Sequence, residues 1–372
     1  MKQYNFNSNA KFEVIFQCPY LDENQDEEYQ VNCILVSGNQ FQEIQENWHL
    51  ESPIPYSSSG ILENSCGILK NQNGQHSAIF SQLRLTRGKQ TKFALDEKFA
   101  LFFYATIRID NQPIRIWKIS NPIVVIFHAN QECLAQSTIW WDTEFPDTPR
   151  EFFSVKDVVK CDAVAEKLAN YADEYTRNFL DNNNIDFIRE KLKITAGGDY
   201  ISFKKFSREL LPGCVFTFWE WFYNILKLLE PPHKNHDEIY YITLDDSVPG
   251  LWERGLITGF VSKENSQKML QEQPIGTLLI RFSESQKGSL HFVYKNTYNS
   301  IQMFAPWDQW HLKRMNMAAT LGQLEKAQYL YSPHMGLQKL HHVLYSFRDI
   351  SKMKTKICNT SFGTWRTLFF LV

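Results

Sequence analysis

The run of residues 276–285 constrains the fold of this chain more than any other stretch, because it combines a strand-like alternation with an arginine. Three alternate positions are all apolar and would form one face of a β-strand, whose side-chain period is two. They are Leu278, Ile280 and Phe282. The same period places Arg281 and Ser283 together on the opposite face. The run therefore predicts a strand with an apolar face on a core and an arginine on the other, outer face.

An arginine in a strand needs oxygen partners, because a half-buried guanidinium without them is costly. The planar fork of Arg281 suits two oxygens of a phosphate or a carboxylate. Hydroxyl side chains follow at Ser283 and Ser285, and residues 286–288 favour a turn. This order of residues indicates a phosphate pocket. The alternative is an edge-strand arginine paired to an acidic side chain, and the residues alone leave both interpretations open.

The run 276–285 resembles the central strand of an SH2 domain, a module that binds phosphotyrosine. Residues 252–263 are similar to the first SH2 helix of one family, the signal transducers and activators of transcription (STATs). The resemblance implies that Arg281 binds the phosphate with its fork and that Lys263 adds a second cation. The pocket residues that it implies are Lys263, Arg281, Ser283, Glu284 and Ser285. Residues 287–291 depart from the family's Gly-Gly-Ile-Thr pattern, and His291 is expected to alter peptide preference.

Length and composition indicate a chain of several folded domains. Its 372 residues are 43% hydrophobic and 15% aromatic, which suits two or three domains of roughly 100–200 residues each. Seven widely spaced cysteines without a Cys-x-x-Cys motif favour free thiols over a disulfide or zinc framework. No secretory signal and no apolar run long enough to cross a bilayer is present in the sequence. We therefore expect a soluble intracellular protein, and the resemblance implies cytoplasm and nucleus.

Residues 1–143 show the short, β-branched and aromatic segments of an antiparallel sandwich. The predicted strands are residues 12–16, 30–36, 77–80, 99–108, 114–119 and 122–128. Several of them resemble the immunoglobulin-like DNA-binding domain of STATs. The stretch 122–142 is most similar to the prolactin- and interleukin-4-responsive branch of that family. Residues 1–143 are therefore expected to bind DNA.

A cationic segment is the first candidate for a DNA contact. Basic residues outnumber acidic ones between residues 80 and 120, and the segment 84–92 contains no acid. Its cations are Arg84, Arg87, Lys89 and Lys92. Such a mobile loop neutralises phosphates without reading base sequence. The alternative is an ordinary solvated loop.

The second candidate is the predicted loop 128–136, which follows a wholly apolar strand. The side chains of His128 and Asn130 both donate and accept hydrogen bonds, so they suit base edges. A histidine at a strand end is otherwise more often structural. The family resemblance is what favours base contact by His128.

The rest of the chain completes a multidomain fold class: an immunoglobulin-like all-β sandwich, an α-helical linker and an α+β SH2 domain. The expected domains are 1–143 (DNA-binding), 144–247 (helical linker with a polar insertion at 231–247), 248–333 (SH2) and 334–372 (a short tail). The strongest helix signal is 217–230, with a capping box at Thr217 and Glu220, a broad apolar face and a stop at Pro231. Residues 211–222 resemble the end of the STAT linker.

An enzyme is not expected. The sequence has no phosphate-binding glycine loop, no Gly-x-Ser-x-Gly and no His-Glu-x-x-His. The histidine pairs at 233 and 236 and at 341 and 342 lack further ligands at useful spacing. No metal and no cofactor are therefore expected.

The preferred hypothesis is a STAT-like transcription factor that docks on phosphotyrosine and binds palindromic half-sites of double-stranded DNA as a homo- or heterodimer. The expected partners are phosphotyrosine peptides of receptors or STAT relatives, and tyrosine kinases, with no membrane. The alternatives are a truncated adaptor or dominant-negative regulator without sequence-specific DNA binding, and an incomplete gene model of the first. We expect the family's N-terminal and coiled-coil domains to be lacking. Tyr345 is the candidate for phosphorylation in the tail, although helical spacing around it favours a packed position.

Overall fold

The structure is a computed structural model. It describes residues 4–7, 11–19, 21, 27–48, 58–72, 75–86, 98–126, 128–147, 152–176, 179–230, 247–314, 321 and 327–343. Two compact units divide the chain, with the boundary between Lys156 and Asp157. Within the described ranges, no helix is long and apolar enough to cross a membrane.

The first unit is built on an antiparallel sheet. Its strands are β1 (Tyr4–Asn7), β2 (Lys11–Cys18), β3 (Tyr29–Val36), β4 (Ile61–Glu63), β5 (Cys66–Gln72), β6 (Gln75–Thr86), β7 (Ala100–Ile109), β8 (Gln112–Ile119) and β9 (Ile123–Ile126). The sheet order is β2-β6-β5-β3-β7-β8, with β4 added on β6. The first part of β5 pairs with β3 and its last part pairs with β6. β5 therefore joins the two halves of the sheet, while β1 and β9 form a separate parallel pair.

One core lies between the two halves of this sheet. Alternate residues of β3 and β7 meet alternate residues of β2 and β6 there, as the two-residue strand period requires. Val31, Phe80, Leu83 and Phe103 are among its buried members. All six predicted strands are confirmed as strands, although the last ends at Ile126 rather than at His128. The predicted antiparallel sandwich agrees with this arrangement.

Two helices correct the prediction that residues 1–143 contain only strands. Helix α1 (Gly38–Asn47) begins in a capping box at Ser37, and its Phe41 and Ile44 cover the outer face of β3 and β7. Helix α2 (Glu132–Glu144) follows a 3-10 turn and packs Ala135 and Ile139 on β9. The predicted loop 128–136 is therefore mostly helical, because its apolar residues recur at helical spacing and find a strand to cover.

The second unit contains the remaining elements. Its helices are α3 (Cys161–Thr176), α4 (Asn182–Ala196), α5 (Phe203–Ser207), α6 (Phe218–Leu229), α7 (Val248–Glu253), α8 (Lys263–Gln271) and α9 (Gln309–Arg314). Its strands are β10 (Val158–Lys160), β11 (Tyr200–Ser202), β12 (Thr277–Phe282), β13 (Leu290–Lys295), β14 (Ile301–Met303), β15 (Tyr329–Ser332) and β16 (Gly336–Lys339). The capping box at the start of α6 is confirmed. The backbone N–H of Thr217 donates to Oε2 of Glu220 at 2.9 Å, and the backbone N–H of Glu220 donates to Oγ1 of Thr217 at 3.1 Å. Residues 231–246 of the predicted polar insertion lie outside the described residues.

The sheet of the second unit has the order β14-β13-β12-β15-β16, so β12 is its central strand. The predicted strand is therefore confirmed. The alternative is wrong in placing Arg281 on an edge strand but right in pairing it with an acidic side chain, because Arg281 contacts Glu284. Every residue of β12 is buried, because both faces of the strand are covered. Leu279 packs with Leu270 of α8 on one face. Phe282 packs between the rings of Trp252 and Phe260 on the other, with centroid distances of 5.5 and 4.8 Å. The face of β12 that carries Arg281, which the sequence predicts to be an outer face, is therefore buried as well.

Candidate functional site

Arg281 lies in the middle of the central strand and is only 2% exposed. Its Nη1 donates to the backbone oxygens of Val261 and Phe282, at 3.2 and 3.1 Å, and to Oε2 of Glu284 at 3.1 Å. Its Nε has no hydrogen-bond partner among the described residues. Burial lowers the pKa of Arg281 from its usual value, and the carboxylate of Glu284 opposes that shift. A fully buried guanidinium therefore keeps one donor unused.

Glu284 supplies the negative charge that faces this arginine. The same oxygen, Oε2, also accepts a hydrogen bond of 2.9 Å from the backbone N–H of Lys263. Lys263 is the first residue of α8, whose N-cap is Ser262. A helix N-terminus and an arginine together favour an anion. The carboxylate thus occupies a position that an oxygen of another anion would also suit.

The two predicted hydroxyls differ in their surroundings. Ser283 is fully buried, and its Oγ accepts a hydrogen bond of 3.1 Å from the N–H of Gln286. Ser285 is exposed in the same loop. Ser283 therefore holds the shape of the loop after β12, while Ser285 remains accessible from solvent. Lys263 is connected to Arg281 through its backbone N–H, which bonds the same Glu284 oxygen as the guanidinium.

His291 was not among the predicted pocket residues, and the structure adds it. It lies directly opposite Arg281 in the β12–β13 pairing. Its Nδ1 is 3.4 Å from Nη2 of the arginine, and its Nε2 is buried without a partner in the described part of the chain. Burial, and then the charges of Arg281 and Lys263, lower the pKa of His291 to about 4. We call Lys263, Arg281, Ser283, Glu284 and His291 the Arg281 pocket.

Helix α6 contacts the loop of this pocket directly. The indole N–H of Trp221 donates to the backbone oxygen of Ser283 at 2.7 Å. The ring of Trp221 also lies 5.6 Å from that of Phe260, in an edge-on arrangement. Nζ of Lys287, near the end of the loop, lies 3.5 Å from Oε1 of Glu220. Sequence reasoning placed the aromatics of α6 in a core but missed this hydrogen bond, since nothing local in the sequence indicates it.

A cavity of about 840 Å³ lies beside the pocket. Residues of α4, the loop 211–214 and the first half of α8 line it, and it reaches Glu284 and Ser285. Arg281 is not among its lining residues. The guanidinium is therefore buried beneath the wall of this cavity in this conformation.

The predicted cationic loop is partly strand. Arg84 lies within β6, and its Nη1 is 3.5 Å from Oε2 of Glu63. β6 extends to Thr86 because Leu83 and Leu85 continue the buried alternation. Arg87, Lys89 and Lys92 lie outside the described residues. Lys98, which belongs to the same basic region of the sequence, is buried and pairs with Asp142 at 2.6 Å.

His128 and Asn130 are both exposed, at the 3-10 turn that joins β9 to α2. The backbone N–H of His128 donates to Oε1 of Gln131 at 3.1 Å, and the N–H of Gln131 donates to the oxygen of His128 at 2.9 Å. The turn is thereby fixed, and both side chains are left at the surface. Tyr345, the candidate for phosphorylation, lies outside the described residues.

No group of three or more His, Cys, Asp or Glu side chains with metal-binding geometry occurs in the part of the chain that the structure describes. In the Arg281 pocket a guanidinium and the N-terminus of α8 both donate to the carboxylate of Glu284.

Two family models match the chain. The model described as "STAT protein, DNA binding domain" matches residues 8–126, and the model described as "Signal transducer and activator of transcription, linker domain" matches residues 148–222. These matches cover the sheet of the first unit and helices α3 to α5 with the start of α6.

Curated relatives are similar over most of the chain. A Drosophila melanogaster protein named "Signal transducer and transcription activator" is 33% identical over 312 residues, which are 81% of this chain and 39% of that protein. An Anopheles gambiae protein of the same name is 30% identical over 322 residues, 81% of this chain and 42% of that one. The chain therefore spans about two fifths of the length of these relatives. A solved structure described as "Inactive choanoflagellate E3 ubiquitin ligase Cbl TKB" aligns over 60% of this chain and 55% of that one, at 13% identity and a TM-score of 0.21.

Proposed function

Because this chain contains the DNA-binding and linker domains of the STAT family, we propose that it is a transcription factor of tyrosine-kinase signalling. It docks on phosphotyrosine through an SH2 domain at residues 248–333 and binds DNA as a dimer. The observation that carries the docking role is Arg281, a buried arginine on a central strand beside a helix N-terminus. The stretch 122–142 supports placing the DNA-binding domain with the prolactin- and interleukin-4-responsive branch.

The Arg281 pocket matches the chemistry of a phosphate. A phosphotyrosine brings nearly two negative charges and three acceptor oxygens. In this proposal its oxygens take over the two donors that Glu284 now occupies, Nη1 of Arg281 and the N–H of Lys263. Nη2 of Arg281 completes the fork beside Nη1, and the unused Nε remains a further donor. The Lys263 side chain and the hydroxyls of Ser283 and Ser285 add further contacts, and the displaced carboxylate moves toward solvent.

Calorimetry with a phosphotyrosine peptide and its unphosphorylated twin tests the docking role. Hydrogen bonds to charged groups are worth roughly 1.5–3 kcal/mol each, so Arg281→Ala should weaken phosphopeptide binding by about tenfold to several hundredfold. Arg281→Lys should fail as well, since an ammonium cannot make the fork, and Lys263→Ala should have the smaller effect. Arg189→Ala, on helix α4, is the matched control because it removes a surface arginine that pairs with Asp162. Equal binding of the two peptides by the unaltered chain would refute the proposal.

DNA binding is tested separately. Replacing Arg84, Arg87 and Lys89 together should weaken binding to all sequences and flatten its dependence on salt, since phosphate contacts act through released counterions. Replacing His128 or Asn130 should instead change base preference, by roughly 1–3 kcal/mol at the position concerned. A selected-site experiment with palindromic DNA reads out both effects. Binding without any sequence preference would favour the adaptor or dominant-negative alternative.

The partners and location follow from the same proposal. The pocket takes phosphotyrosine peptides of receptors or of STAT relatives, which tyrosine kinases produce, and the protein moves between cytoplasm and nucleus. Reciprocal exchange of phosphotyrosines would join two chains as a homo- or heterodimer. Tyr345 is the candidate in this chain, and its helical spacing favours pairing with a relative over a homodimer. Co-expression with an active kinase followed by mass spectrometry and sizing tests this: a stoichiometric phosphate on Tyr345 in a homodimer would contradict the preference for a relative.

A further inference from the structure

The most unusual feature of the Arg281 pocket is a neutral histidine between two cations. His291 lies opposite Arg281, on the neighbouring strand β13. Lys263, on helix α8, is the second positive charge that acts on His291. Glu284 accepts a hydrogen bond from the guanidinium of Arg281. The remaining strand beside β13 is β14, whose residues Ile301 to Met303 carry no ionisable group. Among the described residues, the charges that act on the imidazole are the two cations Arg281 and Lys263.

The hydrogen-bonding pattern fixes the protonation of this ring in the free pocket. Nδ1 lies 3.4 Å from Nη2 of Arg281. A guanidinium only donates, so Nδ1 acts as the acceptor and the ring proton lies on Nε2. Nε2 is buried without a partner among the described residues. Burial and the two cations keep the pKa of the ring at about 4, because a third positive charge here would have no counter-ion.

A bound phosphate reverses each of these conditions. Its two negative charges replace the single charge of Glu284, and its oxygens draw the arginine donors away from Nδ1. The freed lone pair of Nδ1 then faces an anion, which favours the charged imidazolium. We propose that His291 is a third basic ligand of the phosphate, and that it takes up a proton from solvent on Nδ1 when phosphotyrosine binds. This inference rests on the proposed docking role of the pocket and deepens it.

The proton balance of this step is simple. One proton leaves the buffer and forms an N–H bond at Nδ1, which then donates to a phosphate oxygen. The phosphate itself releases protons on binding. Its second pKa is near 6, so a small monoanionic fraction is present near neutral pH, and this fraction is deprotonated when it binds. A pocket without His291 should therefore release a small fraction of a proton, while the native pocket should take up a larger one.

Calorimetry in two phosphate-free buffers of different ionisation enthalpy directly measures the number of protons taken up or released when the peptide binds. At pH 7.0 we expect the unaltered chain to take up on the order of half a proton per phosphotyrosine peptide. His291→Gln keeps the size and an acceptor but cannot be charged, so it should take up none and bind several-fold more weakly at pH 6.5 than the unaltered chain. His311→Gln is the matched control, because His311 is an exposed histidine paired with Asp308 outside the pocket; it should behave as the unaltered chain does.

A second measurement needs no variant and so does not depend on folding of the glutamine form. With ring-labelled histidine, nuclear magnetic resonance should show one imidazole that stays neutral down to about pH 4 in the free protein and is charged at pH 7 when phosphotyrosine is present. Equal proton uptake by His291→Gln and the unaltered chain, or an imidazole that stays neutral in the complex, would overturn the proposal. Phosphorylation-dependent binding that survives in either case would leave the docking role standing, whereas its absence in the unaltered chain would remove both.

Discussion

Replacing Trp221 with phenylalanine should weaken both the second unit and the loop 283–289, because one hydrogen bond connects helix α6 to that loop. The indole N–H donates to the backbone oxygen of Ser283 at 2.7 Å, and both residues are buried. Phenylalanine keeps an aromatic ring in the same position but has no donor. The carbonyl of Ser283 would lose this partner at the end of the strand that carries Arg281.

The expected cost follows from two contributions. A buried polar group that loses its partner costs about 1–3 kcal/mol. The smaller ring also loses contacts with Phe218 and Phe260, at centroid distances of 5.5 and 5.6 Å, and with the ammonium of Lys191 at 4.8 Å, for which removal of core atoms suggests about 1–2 kcal/mol more. We therefore expect Trp221→Phe to lower the free energy of unfolding by about 2–5 kcal/mol.

The effect of Trp221→Phe on peptide affinity shows whether Trp221 holds the loop 283–289 in place or only packs in the core. If the hydrogen bond holds the loop 283–289 in place, phosphotyrosine peptide affinity should fall about tenfold in Trp221→Phe, which corresponds to about 1.4 kcal/mol. Trp219→Phe is the matched control, since Trp219 is equally buried on the same helix and its ring neighbours are Tyr171, Phe206 and Tyr223. Urea unfolding and calorimetry on both variants decide the matter. Equal peptide affinity in the two variants, at similar losses of stability, would refute the reasoning.

Two further outcomes follow from charges seen in the structure. Glu284→Gln should strengthen phosphopeptide binding several-fold, because it removes the internal anion that competes for Nη1 of Arg281; weaker binding in a titration would show that the carboxylate helps the ligand instead. Lys98→Met should destabilise the first unit by about 3–5 kcal/mol, since it removes the ammonium that pairs with the buried Asp142. The double change Lys98→Met with Asp142→Leu should recover most of that loss in thermal unfolding, and a double variant as unstable as the single one would contradict this account.

Local patterns predicted the elements that carry the pocket. The two-residue period identified β12, and the capping box at Thr217 identified α6, because both signals lie within a few residues of the structure they specify. The period could not tell what covers each face of β12. That depends on Phe260 and on Trp252, which approach the strand only after the chain has folded.

The features that the sequence did not predict also depend on contacts between segments that lie apart in the chain, or on weak local patterns. His291 becomes a neighbour of Arg281 only through the register of β12 with β13, and a sequence does not state a register until the length of the intervening loop is known. Helix α1 is rich in Asn and Gln and shows only a narrow apolar stripe at Phe41 and Ile44, so its pattern was too weak to predict a helix. The strand signal around Leu85 fades into cationic residues, so the sequence predicts a loop at Arg84 where the structure has strand β6.

Arg281 is better explained by a ligand than by stability. Buried ion pairs are often no more stabilising than well-packed apolar residues of similar volume, and β12 is buried along its whole length. The pair with Glu284 still leaves Nε of Arg281 and Nε2 of His291 without partners among the described residues. The free pocket thus contains more donors and more positive charge than its single carboxylate can satisfy. A dianion with three oxygens offers acceptors to the guanidinium and balances the positive charge, so binding should relieve part of a cost that folding alone leaves in place. Saturating phosphotyrosine peptide, at a hundred times its dissociation constant, should accordingly stabilise the unaltered chain by about 2.7 kcal/mol, and the stabilisation should vanish in Arg281→Lys, which keeps the charge but not the fork.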